Sequence, residues 1–171
     1  MKALTLWQPW ATLIAIEAKT IETRSWYTNY RGPLAIHAAK QTTEDAVGLC
    51  VHEPFFGALI GSGFVRNEKN WTGQEYAQLD TTKMPFGAIV ATCELVYCIK
   101  IEKARKFYRN ALPRMIDGLW LPPDEPELSF GDYTPGRYAW ILANVKALPE
   151  PIPAKGAQGL WEWILPTEAQ P

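Results

Sequence analysis

The chain has 171 residues, 47% hydrophobic and 20% charged, with a formal net charge of -1. That length and balance fit one globular domain over residues 1–171 with room for a core. The near-zero charge argues against a bulk polyanion binder, and three cysteines are too few and too odd in number for a disulfide framework.

Cys50, Cys93 and Cys98 sit in apolar segments and read as buried thiols of a reducing compartment. His37 and His52 give no metal-ligand spacing, so neither a metal nor any other cofactor is expected. The apolar run Ala11 to Ile16 is too short to cross a membrane and stops at Glu17. Gln8 and Pro9 interrupt any signal-peptide core, and a cytoplasmic location follows by default.

Charge is unevenly spread. Lys2, Lys19, Arg24, Arg31 and Lys40 outnumber Glu17 and Glu22 in the first forty residues. Lys100, Lys103, Arg105, Lys106, Arg109 and Arg114 face only Glu102, whereas Asp124, Glu125, Glu127 and Asp132 make the following loop acidic. The basic runs read either as an anion-facing surface or as solvated helix faces. Eight tryptophans are many for this length. About two-thirds are expected in the core, the rest lining a pocket, because indole rings dominate core burial yet need a partner for their N–H.

In chain order, Ala3 to Leu6 reads as a strand. A helix over Pro9 to Ala18 follows, with Trp10, Leu13, Ile14 and Glu17 at helical spacing. Ile21 to Trp26 is strand-like, and alternation puts Glu22, Arg24 and Trp26 on one face. That face is wasteful in a core and sensible in a cleft. Leu34 to Ala39 is the next strand, carrying His37, which reads as a hydrogen-bonded strand residue. Thr42 and Asp45 suggest a capped helix through His52. Residues 66–83 read as a polar surface excursion. Gly87 to Ile101 is the strongest strand signal, nearly continuous in apolar character as a barrel stave buried on both faces. Glu94 stands out in it as a buried carboxylate needing a partner.

Glu102 to Leu112 reads as a basic helix, and Pro122, Pro123 and Pro126 mark the acidic loop. A turn at Tyr133 to Arg137 opens a strand over Tyr138 to Val145. Leu148 to Pro153 reads as an extended proline-rich connector, and Leu160 to Leu165 as the last strand. Strands and helices do not alternate regularly, which disfavours a doubly wound sheet. The expected fold is α+β: a small β-barrel of about five to six strands with two to three flanking helices.

No phosphate loop, dinucleotide fingerprint or G-x-S-x-G elbow is present. The chemistry left over is concentrated near the N-terminus, in Lys19, Glu22, Arg24 and Arg31, with Gln8, Trp10 and Trp26 close by. A lysine among apolar and cationic neighbours can serve as base or nucleophile, and a carboxylate three residues on can handle its proton. Spacing alone favours a simpler reading, a surface Lys19–Glu22 ion pair of about 0–1 kcal/mol.

The segment Ala18-Lys19-Thr20-Ile21-Glu22-Thr23-Arg24 resembles the G-x-K-x-x-E-x-R motif of the ASCH domain, a PUA-like β-barrel, with Glu17 in the glycine place. Trp7-Gln8-Pro9-Trp10, Tyr30-Arg31-Gly32-Pro33, Phe130-Gly131-Asp132-Tyr133, Pro135-Gly136-Arg137-Tyr138 and Gly156-Ala157-Gln158-Gly159 resemble longer bacterial members in the same order. The resemblance covers roughly residues 1–165. It implies a cleft between the N-terminal helix and the barrel, and recognition of RNA or a nucleoside-like small molecule. Ligand-binding residues would then be Gln8, Trp10, Lys19, Glu22, Arg24, Trp26, Arg31 and His37.

Some small members hydrolyse N4-acetylcytidine with a Lys, a Thr and a Glu. Lys19 matches that Lys, Glu22 occupies the Thr position, and Glu127 or Glu94 is available as the Glu. The expectation is therefore a base-binding module, with an amidohydrolase using Lys19 and Glu22 as the rival. A Trp-rich protein-interaction domain is the third reading.

Overall fold

The computed structural model describes residues 1–102 and 123–165, and the backbone alone at 115–116 and 119–120. Its elements in chain order are β1 (Lys2–Leu6), α1 (Trp10–Ala15), β2 (Ile21–Arg24), β3 (Gly32–Ala38), α2 (Glu44–Leu49) and α3 (Phe55–Leu59). The hairpin β4 (Val65–Lys69) and β5 (Glu75–Leu79) follows, then β6 (Ala88–Lys100) and the short ribbon β7 (Met115–Ile116) and β8 (Leu119–Trp120). The long β9 (Tyr138–Pro153) and β10 (Leu160–Glu162) complete the order. The basic helix expected over 102–112 lies outside the described residues beyond Glu102.

Six strands make one curled sheet in the order β10-β1-β3-β6-β9-β2. Only β1 and β3 are parallel, Leu4 pairing with Ile36; every other neighbouring pair is antiparallel. A parallel pair needs a crossover. Here the crossover carries α1 and β2, so the helix is delivered onto the concave side of the sheet. The architecture is α+β and consistent with the small PUA-like barrel expected from sequence, although the six-strand sheet curls without closing.

Helix α1 is buried around its circumference, with Ala11, Thr12, Leu13 and Ile14 all inaccessible. Ala11 and Ile14 join the barrel core of Leu4, Leu34, Ile36, Leu95, Trp140 and Leu142. Leu13 points into a second core with Cys50, Phe55, Leu59, Phe64 and Phe130 beneath α2 and α3. One short helix thus joins two apolar clusters. It ends at Ala15, three residues before the position expected, because Glu17 takes the left-handed conformation at φ 61°. The Glu17 N–H then donates to the Ile14 carbonyl (2.9 Å) and the Lys19 N–H to that of Leu13 (3.0 Å). Glu17 does here what a glycine does without steric cost.

Other boundaries differ for local reasons. Thr43 rather than Thr42 caps α2, accepting from the Ala46 N–H at 3.2 Å. The Thr42 hydroxyl instead donates to the Gln8 carbonyl at 2.6 Å. Helix α3 was not anticipated. The segment read as a polar excursion contains the exposed β4–β5 hairpin and a turn of 3-10 helix at Thr81–Lys83.

The strand read as buried on both faces is so only over Ala88 to Ala91; farther along, β6 alternates. Register shifts between Thr92 and Glu94 send the Glu94 side chain outward, where it accepts from Asn144 Nδ2 at 3.0 Å. Glu94 is therefore exposed, not the buried carboxylate expected. The proline-rich connector is also strand: β9 stays paired with β6 to Pro153. Pro149, Pro151 and Pro153 sit at alternate positions, so their missing N–H groups fall on one edge. Strand β2 pairs only with Tyr138 to Ile141, leaving β9 a free edge beyond that tolerates them.

Residues after β9 return as a strap over the other sheet face, where Trp163 packs with Ala3, Ala35 and Ile89. The strap lies so close to β3 that a side chain at Gly156 would overlap the His37 ring and the Thr5 hydroxyl. Of the seven tryptophans whose side chains are described, only Trp140 and Trp163 are buried, fewer than the two-thirds expected. Trp10, Trp26 and Trp161 are half-buried, and Trp7 and Trp71 are exposed.

All three cysteines are free and buried. Burial pushes the Cys50 thiol up to about 11 and the Cys93 thiol up to about 12, the latter helped by the Glu94 carboxylate. Only thiolates react readily. Native protein at mildly alkaline pH is therefore expected to resist a thiol-specific disulfide reagent, with all three groups reacting once the chain is denatured. Rapid native labelling would show that β6 or α2 opens far more often than its packing implies.

Candidate ligand-binding cleft

The sheet does not close: β10 and β2 are its two edges. Arg24, on β2, reaches across the gap and donates from Nη2 to the Thr5 carbonyl of β1 at 2.9 Å. A cleft of about 840 Å³ opens along this seam, within the usual range of about 300–1,000 Å³ for small-molecule sites. Leu4, Thr5 and Leu6 come from β1, Glu22 to Arg24 from β2, and Ala157 to Gly159 from the strap.

Aromatic rings form much of the wall. Trp10 meets Phe55 edge to face (6.2 Å, 89°), and Phe55 meets Phe130 the same way (5.0 Å, 70°). Trp26 stands on the buried Trp140 ring at 4.7 Å and 84°. Such edge-to-face contacts fix ring orientation. Trp7 also borders the cleft and is 54% exposed. Glu22, Arg24 and Trp26 border the cleft, but so does Thr23, and β2 ends at Arg24, so strand alternation through Trp26 does not by itself separate cleft from core.

Beneath this wall runs a chain of alternating charges. Glu22 Oε1 lies 3.1 Å from Arg24 Nε, and Glu22 Oε2 lies 3.8 Å from Lys19 Nζ. Lys19 Nζ is 3.7 Å from Glu127 Oε1 and donates to the Ile21 carbonyl. Glu127 accepts in turn from the Thr20 N–H (2.6 Å), the Thr20 hydroxyl (3.1 Å), the Ile21 N–H (3.3 Å) and the Tyr133 hydroxyl (3.3 Å). Burial first, and then the Glu127 and Glu22 carboxylates, raise the Tyr133 phenol well above its ordinary value. Lys19 is 0% exposed, which overturns the surface ion pair. Of the two carboxylates left open as its companion, Glu127 is at Lys19 and Glu94 is not.

Arg137 braces the rim. It donates from Nε to the Asp132 carbonyl at 3.1 Å, from Nη2 to the Thr23 carbonyl at 3.3 Å, and pairs with Asp132 Oδ2 at 3.2 Å. The Thr134 hydroxyl and N–H, with help from Arg137, hold the Asp132 carboxyl below its ordinary value.

The residues expected to bind ligand therefore divide. Trp10, Glu22, Arg24 and Trp26 line the cleft; Gln8, Lys19, Arg31 and His37 do not. Gln8 is buried, accepting from the Thr12 N–H (3.1 Å) and donating to the Pro85 carbonyl (3.0 Å). Arg31 donates to the carbonyls of Thr28 (3.0 Å) and Tyr30 (2.6 Å). His37 Nε2 bonds the Ala154 carbonyl at 3.0 Å and anchors the strap; burial lowers its basicity and the Ala154 bond partly offsets this. Trp7, Phe130 and Arg137 also line the cleft, each inside one of the segments that resemble the longer family members. Phe55 had no sequence signal beyond its apolar setting.

Among the described residues no cluster of His, Cys, Asp or Glu is arranged to hold a metal ion, and no helix is long and apolar enough to cross a membrane.

Removing one member of a buried ion pair costs about 3–5 kcal/mol, because the remaining charge loses its partner. Lys19→Ala is expected to lower stability by about that amount, read as a shift in the urea midpoint. An unchanged midpoint would show that the ammonium is dispensable to the fold.

No curated protein matches this sequence. The family model described as the ASCH domain matches residues 4–152, a span that holds the Lys-x-x-Glu-x-Arg motif, α1 and five of the six strands of the curled sheet. With most of its length so matched, and with that motif built into the seam of a curled half-barrel, the chain belongs to the ASCH domain family.

Proposed function

We propose that the seam cleft binds a nucleobase, either within RNA or as a nucleoside-like small molecule. The observation that carries this reading is the Glu22–Arg24 pair set among Trp7, Trp10 and Trp26 in one cleft. Flat rings accept the faces of a base, and the charged pair reads its polar edge. Trp7 is the stacking platform, since it is the most exposed ring on the wall. Free thiols suit a reducing compartment such as the cytoplasm. A concave cleft with polar groups at its wall also fits a small ligand better than a flat protein-interaction face.

One observation favours the rival amidohydrolase: Glu127 lies 3.7 Å from Lys19 and would complete a Lys–Glu pair. Against it, the Lys19 ammonium is turned toward two carboxylates and a carbonyl and is absent from the cleft wall. A nucleophile or base has to reach the bond it attacks.

Tryptophan fluorescence is expected to be quenched saturably by nucleosides or short single-stranded RNA. Trp7→Ala should weaken that binding by about 1–3 kcal/mol, the usual value of one stacked base. Absence of any saturable quenching in the wild type would end the base-binding reading. Incubated with N4-acetylcytidine, the wild type is expected to release no cytidine by chromatography. Release that a folded Lys19 variant fails to give would restore the hydrolase.

A further inference from the structure

The cleft's polar wall has a definite donor and acceptor order, and that order selects among bases. Resting on the base-binding reading above, we propose that the base selected is guanine, or a derivative that keeps its N1–H and 2-amino group. Glu22 is the acceptor. Its side chain is only 10% exposed, so its direction is fixed rather than averaged by solvent. Each carboxylate oxygen has two lone-pair directions. Oε1 lies 3.1 Å from Arg24 Nε and Oε2 lies 3.8 Å from Lys19 Nζ, and both are ion-pair contacts without hydrogen-bond geometry. Each oxygen keeps capacity for a ligand, so Glu22 offers two adjacent acceptors.

Arg24 is the donor beside them. Its Nε is turned to Glu22 and its Nη2 to the Thr5 carbonyl, while Nη1 makes no hydrogen bond among the described residues. The wall therefore offers acceptor, acceptor, donor. Guanine's Watson–Crick edge presents the complement: the 2-amino group, N1–H and the O6 acceptor. Adenine and cytosine place an acceptor ring nitrogen beside their amino group, which would face a carboxylate oxygen. Uracil has one N–H between two carbonyls. N4-acetylcytosine keeps one N–H beside an acceptor nitrogen. A buried polar group left without its complement is what makes such sites discriminate. Lys19 and Arg24 balance the charge of Glu22, so the ligand need not be a cation.

Calorimetric titration of the full chain with guanosine, adenosine, cytidine, uridine and inosine tests this. Guanosine is expected to bind about 5- to 150-fold more tightly than the other natural nucleosides, the range for one well-placed bidentate pair. Inosine lacks only the 2-amino group and should lose much of that advantage on the unaltered protein. Glu22→Gln, which replaces one acceptor with a donor, should erase the preference for guanosine. Equal binding of all nucleosides, a preference for cytidine or adenosine, or inosine as tight as guanosine would overturn guanine selection and leave the base-binding reading standing. Binding of no nucleoside would overturn guanine selection, and if single-stranded RNA also fails to quench the tryptophans the base-binding reading falls with it.

Discussion

The Lys19 ammonium sits between the carboxylates of Glu22 and Glu127, 3.8 and 3.7 Å away, with the Ile21 carbonyl as its near acceptor. Much of the seam depends on this arrangement. A fully buried ammonium must be paired, and pairing it here fixes two carboxylates from distant parts of the chain. Glu127 is thereby drawn onto the Thr20 and Ile21 backbone, docking the 3-10 turn at Glu127–Phe130 against the start of β2. Glu22 is drawn inward on its other side and holds Arg24, and Arg24 crosses to the Thr5 carbonyl. The order Glu127, Lys19, Glu22, Arg24 alternates in sign, so each charge is next to its opposite. A buried charge network of this kind is better at fixing one geometry than at adding stability.

Its consequence is a sheet that curls without closing. In a closed barrel the last hydrogen-bond ladder would join the two edge strands. Here a single arginine bridges the gap from β2 to β1, and space remains beside it. A small barrel interior is filled by side chains; in this one, α1, Trp140 and the aliphatic residues of β1, β3 and β6 fill it. A cavity lies at the seam, where the backbone of two strands and the strap supply edges rather than core. Rings held edge to face by Phe55, Phe130 and Trp140 keep that space from collapsing. The strap contributes Ala157 to Gly159, and His37 holds it down through Ala154, so His37 reaches the cleft only through what it anchors.

Alternation in a strand is local information. The strand of β6 and the family motif are legible in that way, whereas the face proposed for Glu22, Arg24 and Trp26 is only partly so, since Thr23 also reaches the cleft and β2 stops at Arg24. Burial of Lys19 is not legible, because the group that completes its pairing lies more than a hundred residues away, in a loop whose acidic composition suggests solvent. Glu94 misled for the converse reason. An apolar run implies two buried faces, but a register shift turned one position outward. By residue type the prolines after Leu148 suggest a connector, whereas their spacing is compatible with a strand. At alternate positions they leave one edge of a strand intact, and the sheet uses that edge. Tryptophan count pointed to core, whereas the edge-to-face arrangement at the seam needs rings that are only half covered.

The residue at position 22 decides what Lys19 can do. With a threonine there, the ammonium would have one carboxylate neighbour, Glu127, and a hydroxyl that carries no charge. With Glu22 the second carboxylate lies three residues along the same chain, and the ammonium stays beneath the wall between the two. The same substitution puts an acceptor where a donor–acceptor hydroxyl would stand. Chemistry at the lysine and recognition at position 22 are thus coupled by one side chain. What keeps the amine beneath the wall also supplies the paired carboxylate oxygens on which the proposed base selection rests.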